Sequence, residues 1–115
     1  MSLLTGAQAA IATLRAHGVN TIFGIPGVHT LSLYDEMRVE SGLRHILARH
    51  EQGAGFMAEG YARISGRVGV VCTITGPGVT NVATPVASAY SDSIPLLVIS
   101  TSLPRLSIRG ALMPL

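Results

Sequence analysis

A carboxylate at the head of a glycine-rich helical segment is the feature of this sequence best suited to chemistry. Glu51 lies where an apolar run, 45–48, meets a helical pattern in the segment RHEQGAGFMAEGYAR. Each glycine inside a helix costs about 1 kcal/mol relative to alanine, so we predict that a ligand or another backbone approaches closely at Gly53, Gly55 and Gly60. Apolar residues recur at the spacing of one buried helix face, at Ala54, Met57, Ala58, Tyr61 and Ala62.

Two turns built from glycine and proline are the next candidates, at Pro26-Gly27 and at Gly76-Pro77-Gly78. A glycine turn ahead of a helix can hold phosphate at the helix N-terminus, and it can equally be no more than a tight turn. The second turn continues as GPGVTN, which lacks the third glycine of a dinucleotide-binding fingerprint. Phosphate binding therefore stays open as one interpretation of this turn.

Some further polar residues have two interpretations. His29 follows the first turn and His50 directly precedes Glu51, and both could act as acid–base groups, although surface or supporting roles are more common for such residues. Glu59 and Arg63 are four residues apart, which predicts an ordinary pair on a helix surface.

The composition excludes several classes of protein. The chain has 115 residues, enough for one domain with a real core, and its 48% apolar and 12% charged residues exclude disorder. The net charge of +2 comes from scattered arginines with few aromatic residues, so we expect no nucleic-acid-binding surface. The single Cys72 lies in the apolar run 68–75, which predicts a buried thiol in a reducing, cytoplasmic compartment.

No membrane segment is expected. The N-terminal residues lack a basic stretch followed by a continuous apolar block. The uncharged run 68–91 is long enough to tempt a transmembrane assignment, but Gly76-Pro77-Gly78, Asn81 and Pro85 interrupt it.

The elements that must position these residues alternate along the chain. The apolar pattern predicts strands at 19–25, 44–49, 68–75 and 94–100. Helices are predicted behind a Thr5–Gln8 capping box, behind Thr30 with Leu33, Tyr34 and Met37 inward, over Glu51–Ser65, and over 79–91 with a kink at Pro85.

This alternation predicts an α/β fold, an open parallel sheet with helices on both faces. Ligands of such sheets bind beyond the carboxyl ends of the strands. The turns at 26–27, 50–51 and 75–78 should therefore meet at one edge.

Between positions 68 and 104 the only charged residue is Asp92. A lone small domain could bury the strands of this region, but hardly the helix between them as well. Because exposed apolar faces of that size usually mark interfaces, we expect a homo-oligomer, a dimer or tetramer, formed through the helices at 51–65 and 79–91.

In the segments RHEQGAGFMAEGYAR and TGPGVTNVATPVASAYSDSIPLLVIS, and in GVNTIFGIPG, the sequence resembles the N-terminal pyrimidine-binding domain of thiamine-diphosphate-dependent enzymes of the acetolactate synthase type. The resemblance covers about Thr5 to Ser100, and the segment GIPGVHTLSLY is similar to decarboxylases of guanidino-oxo acids. It implies an enzyme of small-molecule 2-oxo acids, a decarboxylase or carboligase.

The resemblance also implies the site. The catalytic glutamate of the family falls on Glu51, whose carboxyl group would bond N1′ of the cofactor aminopyrimidine and promote loss of the C2 proton. Burial in an apolar crevice suits a carboxyl group that shares a proton, although Glu51 could instead only cap its helix. The positions implied to line the aminopyrimidine pocket are Pro26, Gly27, Thr75, Pro77, Gly78 and Asn81.

The chain also departs from the family pattern. It contains neither the GDG nor the NN motif through which a C-terminal domain of the family holds the diphosphate on Mg²⁺, so no metal ligand is expected here. We therefore expect residues 1–104 to form a partial domain, 105–115 to be an unassigned tail, and the chain to be a fragment. A non-enzymatic assembly module and a free-standing nucleotide-binding domain are the alternatives.

Overall fold

Four short parallel strands form one sheet in this computed structural model, which describes residues 3–102. The strands are β1 (Thr21–Gly24), β2 (Arg44–Leu47), β3 (Gly69–Thr73) and β4 (Leu96–Ser100), in the order β2-β1-β3-β4. Their register pairs Thr21 with Arg44, Phe23 with Val71 and Gly69 with Leu96. β3 is buried along its whole length, as central strands of parallel sheets are.

Helices cover both faces of this sheet, which confirms the predicted fold class. They are α1 (Gly6–Ala16), α2 (Leu31–Val39), α3 (Glu51–Ser65), α4 (Pro77–Asn81) and α5 (Ala83–Ser91). On one face, α1 and α2 pack with Ile22, Val70 and Cys72, and on the other, α3 and the junction of α4 with α5 pack with Phe23 and Val71. No helix among residues 3–102 is long and apolar enough to cross a membrane.

The helix that begins at Glu51 has the predicted bounds, whereas every strand is shorter than predicted. Gly66 caps the C-terminal end of α3, and its φ of 67° is the left-handed conformation that glycine adopts without strain. The Thr5–Gln8 capping box is also present, with hydrogen bonds of 2.9 and 3.2 Å. The strands are shorter because an apolar run marks burial rather than pairing: Val19 and Ala48 are buried just outside their strands.

The single helix predicted over 79–91 is wrong, because the segment forms α4 and α5 with a break at Val82. In a continuous helix the ring of Pro85 would collide with the carbonyl group of Asn81, four residues earlier. Pro85 instead lies in the first turn of α5, where a missing N–H group leaves no bond unmade. The proline therefore divides the segment into two helices rather than kinking one.

Thr30 precedes α2 as predicted, but its side chain does not cap that helix. Its hydroxyl group instead donates to the carbonyl oxygen of Gly27 (2.9 Å) and accepts from the N–H group of Gly27 (3.0 Å). Thr30 is fully buried and begins α2 through a short 3-10 turn, Val28–Thr30. It thus fixes the loop that follows β1.

Polar side chains on the α1–α2 face connect α2 with strands β2 and β3. The hydroxyl group of Tyr34 on α2 lies 3.1 Å from Nε2 of His45 on β2 and interacts with the thiol of Cys72 on β3. Burial lowers the pKa of His45 and raises the pKa of Tyr34. Burial also raises the pKa of the Cys72 thiol to about 11. The prediction of a buried thiol is confirmed.

Cys72 should therefore be nearly unreactive in the folded protein at neutral pH, because the thiolate is the reactive form. The raised pKa also favours the folded state fully below the unfolded pKa near 9, and that contribution is lost as the pH rises towards about 11. Labelling with a chromogenic thiol reagent during urea unfolding at several pH values measures both the reactivity of the thiol and the pH dependence of the stability. Cys72→Ala should reduce the loss of stability between about pH 9 and 11, while the contribution of the raised pKa of Tyr34 remains. Rapid labelling of the native protein would contradict the burial.

Candidate functional site

The carboxyl ends of three strands meet at one edge of the sheet, as predicted. β1 leads to α2 on one face, whereas its neighbours β2 and β3 lead to α3 and α4 on the other face. Chain connections that depart to opposite faces leave a crevice between the strand ends, which is where open α/β sheets bind ligands. The turns around Gly27, Glu51 and Gly76 all lie at this crevice.

Glu51 is the half-buried first residue of α3, and it is not the residue that caps this helix. The cap is His50, whose Nδ1 accepts a hydrogen bond from the N–H group of Gln52 at 3.1 Å. The Glu51 side chain is therefore free to reach towards α4, where Nδ2 of Asn81 donates to its Oε2 at 2.9 Å. The positive end of the α3 dipole also favours a carboxylate at this position.

Gly78 lies close to the second oxygen of that carboxyl group. A Cβ atom added to Gly78 would lie 3.6 Å from Oε1 of Glu51 and 3.1 Å from the side chain of Ile74. The glycine therefore lets the start of α4 lie beside Oε1 without a side chain between them. A carboxylate oxygen without a hydrogen-bond donor from the described residues fits a hydrogen-bonding ring such as an aminopyrimidine.

The loop after β1 packs directly on the loop after β3. A Cβ atom on Gly27 would overlap the side chain of Ile74, so only glycine permits this approach. Pro26 and Pro77 are exposed, and Thr75 is half-buried. Glu51, Gly78 and Asn81 are thus in mutual contact, Gly27 touches the neighbour of Thr75, and the two prolines lie on the adjacent surface.

Thr73 is a residue of this region that the sequence did not single out. It is the last residue of β3 and is fully buried, and its hydroxyl group makes no hydrogen bond within the described residues. Its Cβ atom lies 3.5 Å from the position that a Cβ atom on Gly78 would occupy. The available signal was a polar residue inside an apolar strand directly before the glycine turn.

Close packing of α3 explains one of its three glycines. A Cβ atom on Gly55 would overlap the ring of Pro85 and come within 3.0 Å of Val82, whereas Gly53 and Gly60 have nothing within 4 Å. The predicted close approach is therefore seen at Gly55 and not at the other two. Met57, predicted inward, is 39% exposed, because the buried stripe of α3 follows Gly55 and Glu59 instead.

The pair predicted for Glu59 and Arg63 is present, but its predicted place on the helix surface is wrong, because Glu59 is only 3% exposed. Its Oε1 accepts hydrogen bonds from Arg63 and, at 2.9 Å, from the hydroxyl group of Ser88 on α5. Arg63 also bonds Asp92, and its pKa is raised chiefly by that bond and then by the bond to Glu59. These bonds tie α3 to α5 two turns away from Glu51. The i,i+4 spacing of the pair looks the same on a buried face as on an exposed one.

Comparison with known proteins adds three findings. The family model described as "Thiamine pyrophosphate enzyme, N-terminal TPP binding domain" matches residues 4–113. A probable 2-ketoarginine decarboxylase of Pseudomonas aeruginosa is 64% identical over 98 residues, which are 85% of this chain and 17% of that protein. An acetolactate synthase of Mycobacterium bovis is 55% identical over 97 residues, 84% of this chain and 16% of that protein.

The fold agrees with these matches. The solved structure of a thiamine diphosphate-dependent 4-hydroxybenzoylformate decarboxylase from Rhodococcus jostii RHA1 superposes with a TM-score of 0.86 at 26% identity, covering 96% of this chain and 20% of that one. The chain spans about a sixth of the length of the two curated relatives. The resemblance drawn from Glu51, GIPG and TGPGVTN is confirmed, and the chain belongs to the thiamine pyrophosphate enzyme family through its N-terminal, cofactor-binding domain.

Proposed function

We propose that this chain forms the aminopyrimidine-binding half of a thiamine-diphosphate-dependent enzyme that decarboxylates or couples 2-oxo acids. The observation that best supports this role is the Glu51 carboxyl group, held by Asn81 at 2.9 Å and lying next to Gly78 at the strand ends. The names of the relatives agree with the same chemistry, since they include a decarboxylase and an acetolactate synthase.

In this proposal Glu51 is the catalytic residue, and it holds or releases a proton at Oε1, towards the ring nitrogen of the pyrimidine. When bound, thiamine diphosphate supplies the electron sink for loss of CO₂ from the substrate. Gly27 lets the loop after β1 pack on Ile74, Gly78 lets the start of α4 lie close to Oε1 of Glu51, and Thr30 holds the loop that contains Gly27. The remaining residues proposed to line the pocket are Pro26, Thr75, Pro77 and Asn81.

The diphosphate and its Mg²⁺ ion are proposed to be held by groups outside residues 3–102. Among these described residues no cluster of three or more His, Cys, Asp and Glu side chains could hold a metal ion. We retain residues 1–104 as the proposed partial domain, and the unassigned segment 105–115 lies outside the described residues. A cytoplasmic location is proposed from the buried, reduced Cys72.

The 115-residue chain by itself should therefore release no CO₂ from a 2-oxo acid, even with thiamine diphosphate and Mg²⁺ added. The first substrate to test is 2-ketoarginine, since one relative is named for it, and pyruvate is the comparison. Binding of a thiamine analogue that lacks the diphosphate, measured by calorimetry, tests the pyrimidine half directly. CO₂ release by the chain alone would contradict the division of the site, and binding of a mononucleotide but no thiamine derivative would favour a nucleotide-binding domain.

The chain is also proposed to self-associate through α3 and the α4–α5 segment. Exposed apolar side chains lie along these helices, where Phe56, Met57, Val79 and Val86 are each about two-fifths exposed and Tyr90 is 88% exposed. Such a face rarely stays in contact with water, and a specific interface buries at least about 1,000 Å² in total.

Sedimentation should therefore find dimers or tetramers at micromolar concentration. Tyr90→Glu should weaken this association, because it places a charge on the apolar face. Leu3→Glu is the matched control: Leu3 is equally exposed, at 92%, but lies before α1. A clean monomer at high micromolar concentration would contradict the proposal.

A further inference from the structure

The amide group of Asn81 contacts the proposed catalytic carboxyl group from a different helix. Asn81 is the last residue of α4 and Glu51 is the first residue of α3, and the two are thirty positions apart in sequence. Its Nδ2 donates to Oε2 at 2.9 Å, and both side chains are half-buried. A hydrogen bond from a neutral donor to a charged acceptor in a partly dry site is stronger than one between neutral groups.

This contact makes the two oxygens of Glu51 inequivalent. Oε2 accepts from Asn81, whereas Oε1 lies beside Gly78 and receives no hydrogen bond from residues 3–102. An amide N–H group can only donate, so a proton on the carboxyl group is best accommodated on Oε1. Oε1, the oxygen that accepts no hydrogen bond from residues 3–102, is thereby the one that can exchange a proton with a ring nitrogen.

The break between α4 and α5 sets the position of Asn81. α4 ends at Asn81 because Pro85 cannot continue the helix, and the next residue, Val82, is 2% exposed and packed in the core beneath α3. Asn81 is therefore held at a fixed point beside the start of α3. Its neighbour Thr80 is exposed and bonds only within α4, to the carbonyl oxygen of Pro77 at 3.1 Å.

We propose that Asn81 is a positioning residue that acts through Glu51: it holds Oε2 so that Oε1 is presented to the aminopyrimidine nitrogen. The inference rests on the proposed function. It replaces the pocket-lining role given to Asn81 above, because Asn81 then affects the cofactor only through the carboxyl group of Glu51. Removing it should slow proton transfer far more than it weakens cofactor binding.

A double-mutant cycle in the cofactor-loaded enzyme tests this role. Asn81→Ala should slow C2–H/D exchange of bound thiamine diphosphate about 10–100-fold, as expected for a misplaced catalytic group. The dissociation constant of the cofactor should change by less than about threefold. In a Glu51→Gln background, Asn81→Ala should slow exchange little further, because groups that act through one another are not additive.

Asn81→Asp tests the role more stringently, since it keeps the size of the side chain and replaces the hydrogen-bond donor with a second carboxylate. Repulsion between the two carboxylates should turn Glu51 away or make it retain a proton, so exchange should be slower than in Asn81→Ala. Thr80→Ala is the matched control on the same short helix and should leave exchange and cofactor affinity unchanged. Thermal unfolding of each variant separates these effects from loss of the fold.

The outcomes test the positioning role of Asn81 separately from the proposed function on which it rests. If Glu51→Gln exchanges at the wild-type rate, the proposed function fails and the positioning role fails with it. If Glu51→Gln is slow but Asn81→Ala is as fast as the wild type, only the positioning role is overturned. Full additivity of the two substitutions, or a large loss of cofactor affinity in Asn81→Ala, would also overturn it, because Asn81 would then act on the cofactor directly.

Discussion

In the intact enzyme to which we propose this domain belongs, Glu51→Gln should slow C2–H/D exchange of bound thiamine diphosphate by about 10²–10⁴-fold, the usual cost of losing a positioned acid–base group. The loss corresponds to about 3–5 kcal/mol of barrier. Glutamine keeps the size of the side chain, and its amide oxygen can still accept from Asn81, whose Nδ2 lies 2.9 Å from Oε2. It cannot take up or release the proton. Nuclear magnetic resonance of the quenched cofactor measures the exchange rate.

His50→Ala is the control for this prediction, because His50 rather than Glu51 caps α3. Loss of a helix cap typically costs about 1 kcal/mol of folding stability, and it should leave the exchange rate nearly unchanged. Glu51→Gln should therefore lower the exchange rate and leave the stability nearly unchanged, whereas His50→Ala should lower the stability and leave the exchange rate nearly unchanged. Near wild-type exchange in a destabilised Glu51→Gln protein would show that this carboxyl group serves the helix end and not the cofactor.

Gly55→Ala should destabilise the protein, while Gly60→Ala in the same helix should stabilise it. Alanine gains about 1 kcal/mol of helix propensity at either position. At Gly55 the added methyl group meets the rigid ring of Pro85 and the side chain of Val82, and at Gly60 it meets nothing within 4 Å. Overpacking of a core typically costs about 1–3 kcal/mol. Because the propensity gain is the same in both variants, they should differ by this packing cost, about 1–3 kcal/mol.

Chemical denaturation of both variants measures this difference directly. Because the helix and the substitution are the same, the difference isolates the packing of α3 on α5. Gly55→Ala should also reduce catalysis in the loaded enzyme, because a wider gap between these helices moves Glu51 away from Asn81. Equal stability of the two variants would show that the Pro85 contact relaxes at little cost.

The sequence predicted α3 well because periodicity, a carboxylate at its start and a terminal glycine agree over one continuous segment. Local patterns of this kind do not report contacts between distant segments. The Glu51–Asn81 hydrogen bond spans thirty positions and depends on where Pro85 divides α4 from α5. The family resemblance supplied both residues of this pair, but not the contact between them.

Glu59 illustrates the same limit for burial. Glu59 and Arg63 have the i,i+4 spacing that is also typical of exposed ion pairs. The position of α5 makes Glu59 a buried residue bonded to Ser88. The predicted strand ends were wrong for a related reason, since Val19 and Ala48 are buried without pairing in the sheet. Which residues are buried depends on the whole fold. A run of apolar residues shows only roughly where a buried strand lies along the chain.

The strand order β2-β1-β3-β4 has a consequence for how the domain gains its stability. β1 with β2, and β3 with β4, are each joined through a single connection along the chain, whereas β1 and β3 are separated along the chain by β2 and α3 and pair through Phe23 with Val71 and Gly24 with Cys72. The crevice that contains Glu51 and Gly78 lies at the end of this central pair. A ligand bound there would contact both halves of the sheet, so it would raise the free energy of unfolding by mass action. The proposed cofactor should thus stabilise the folded domain as well as take part in the reaction.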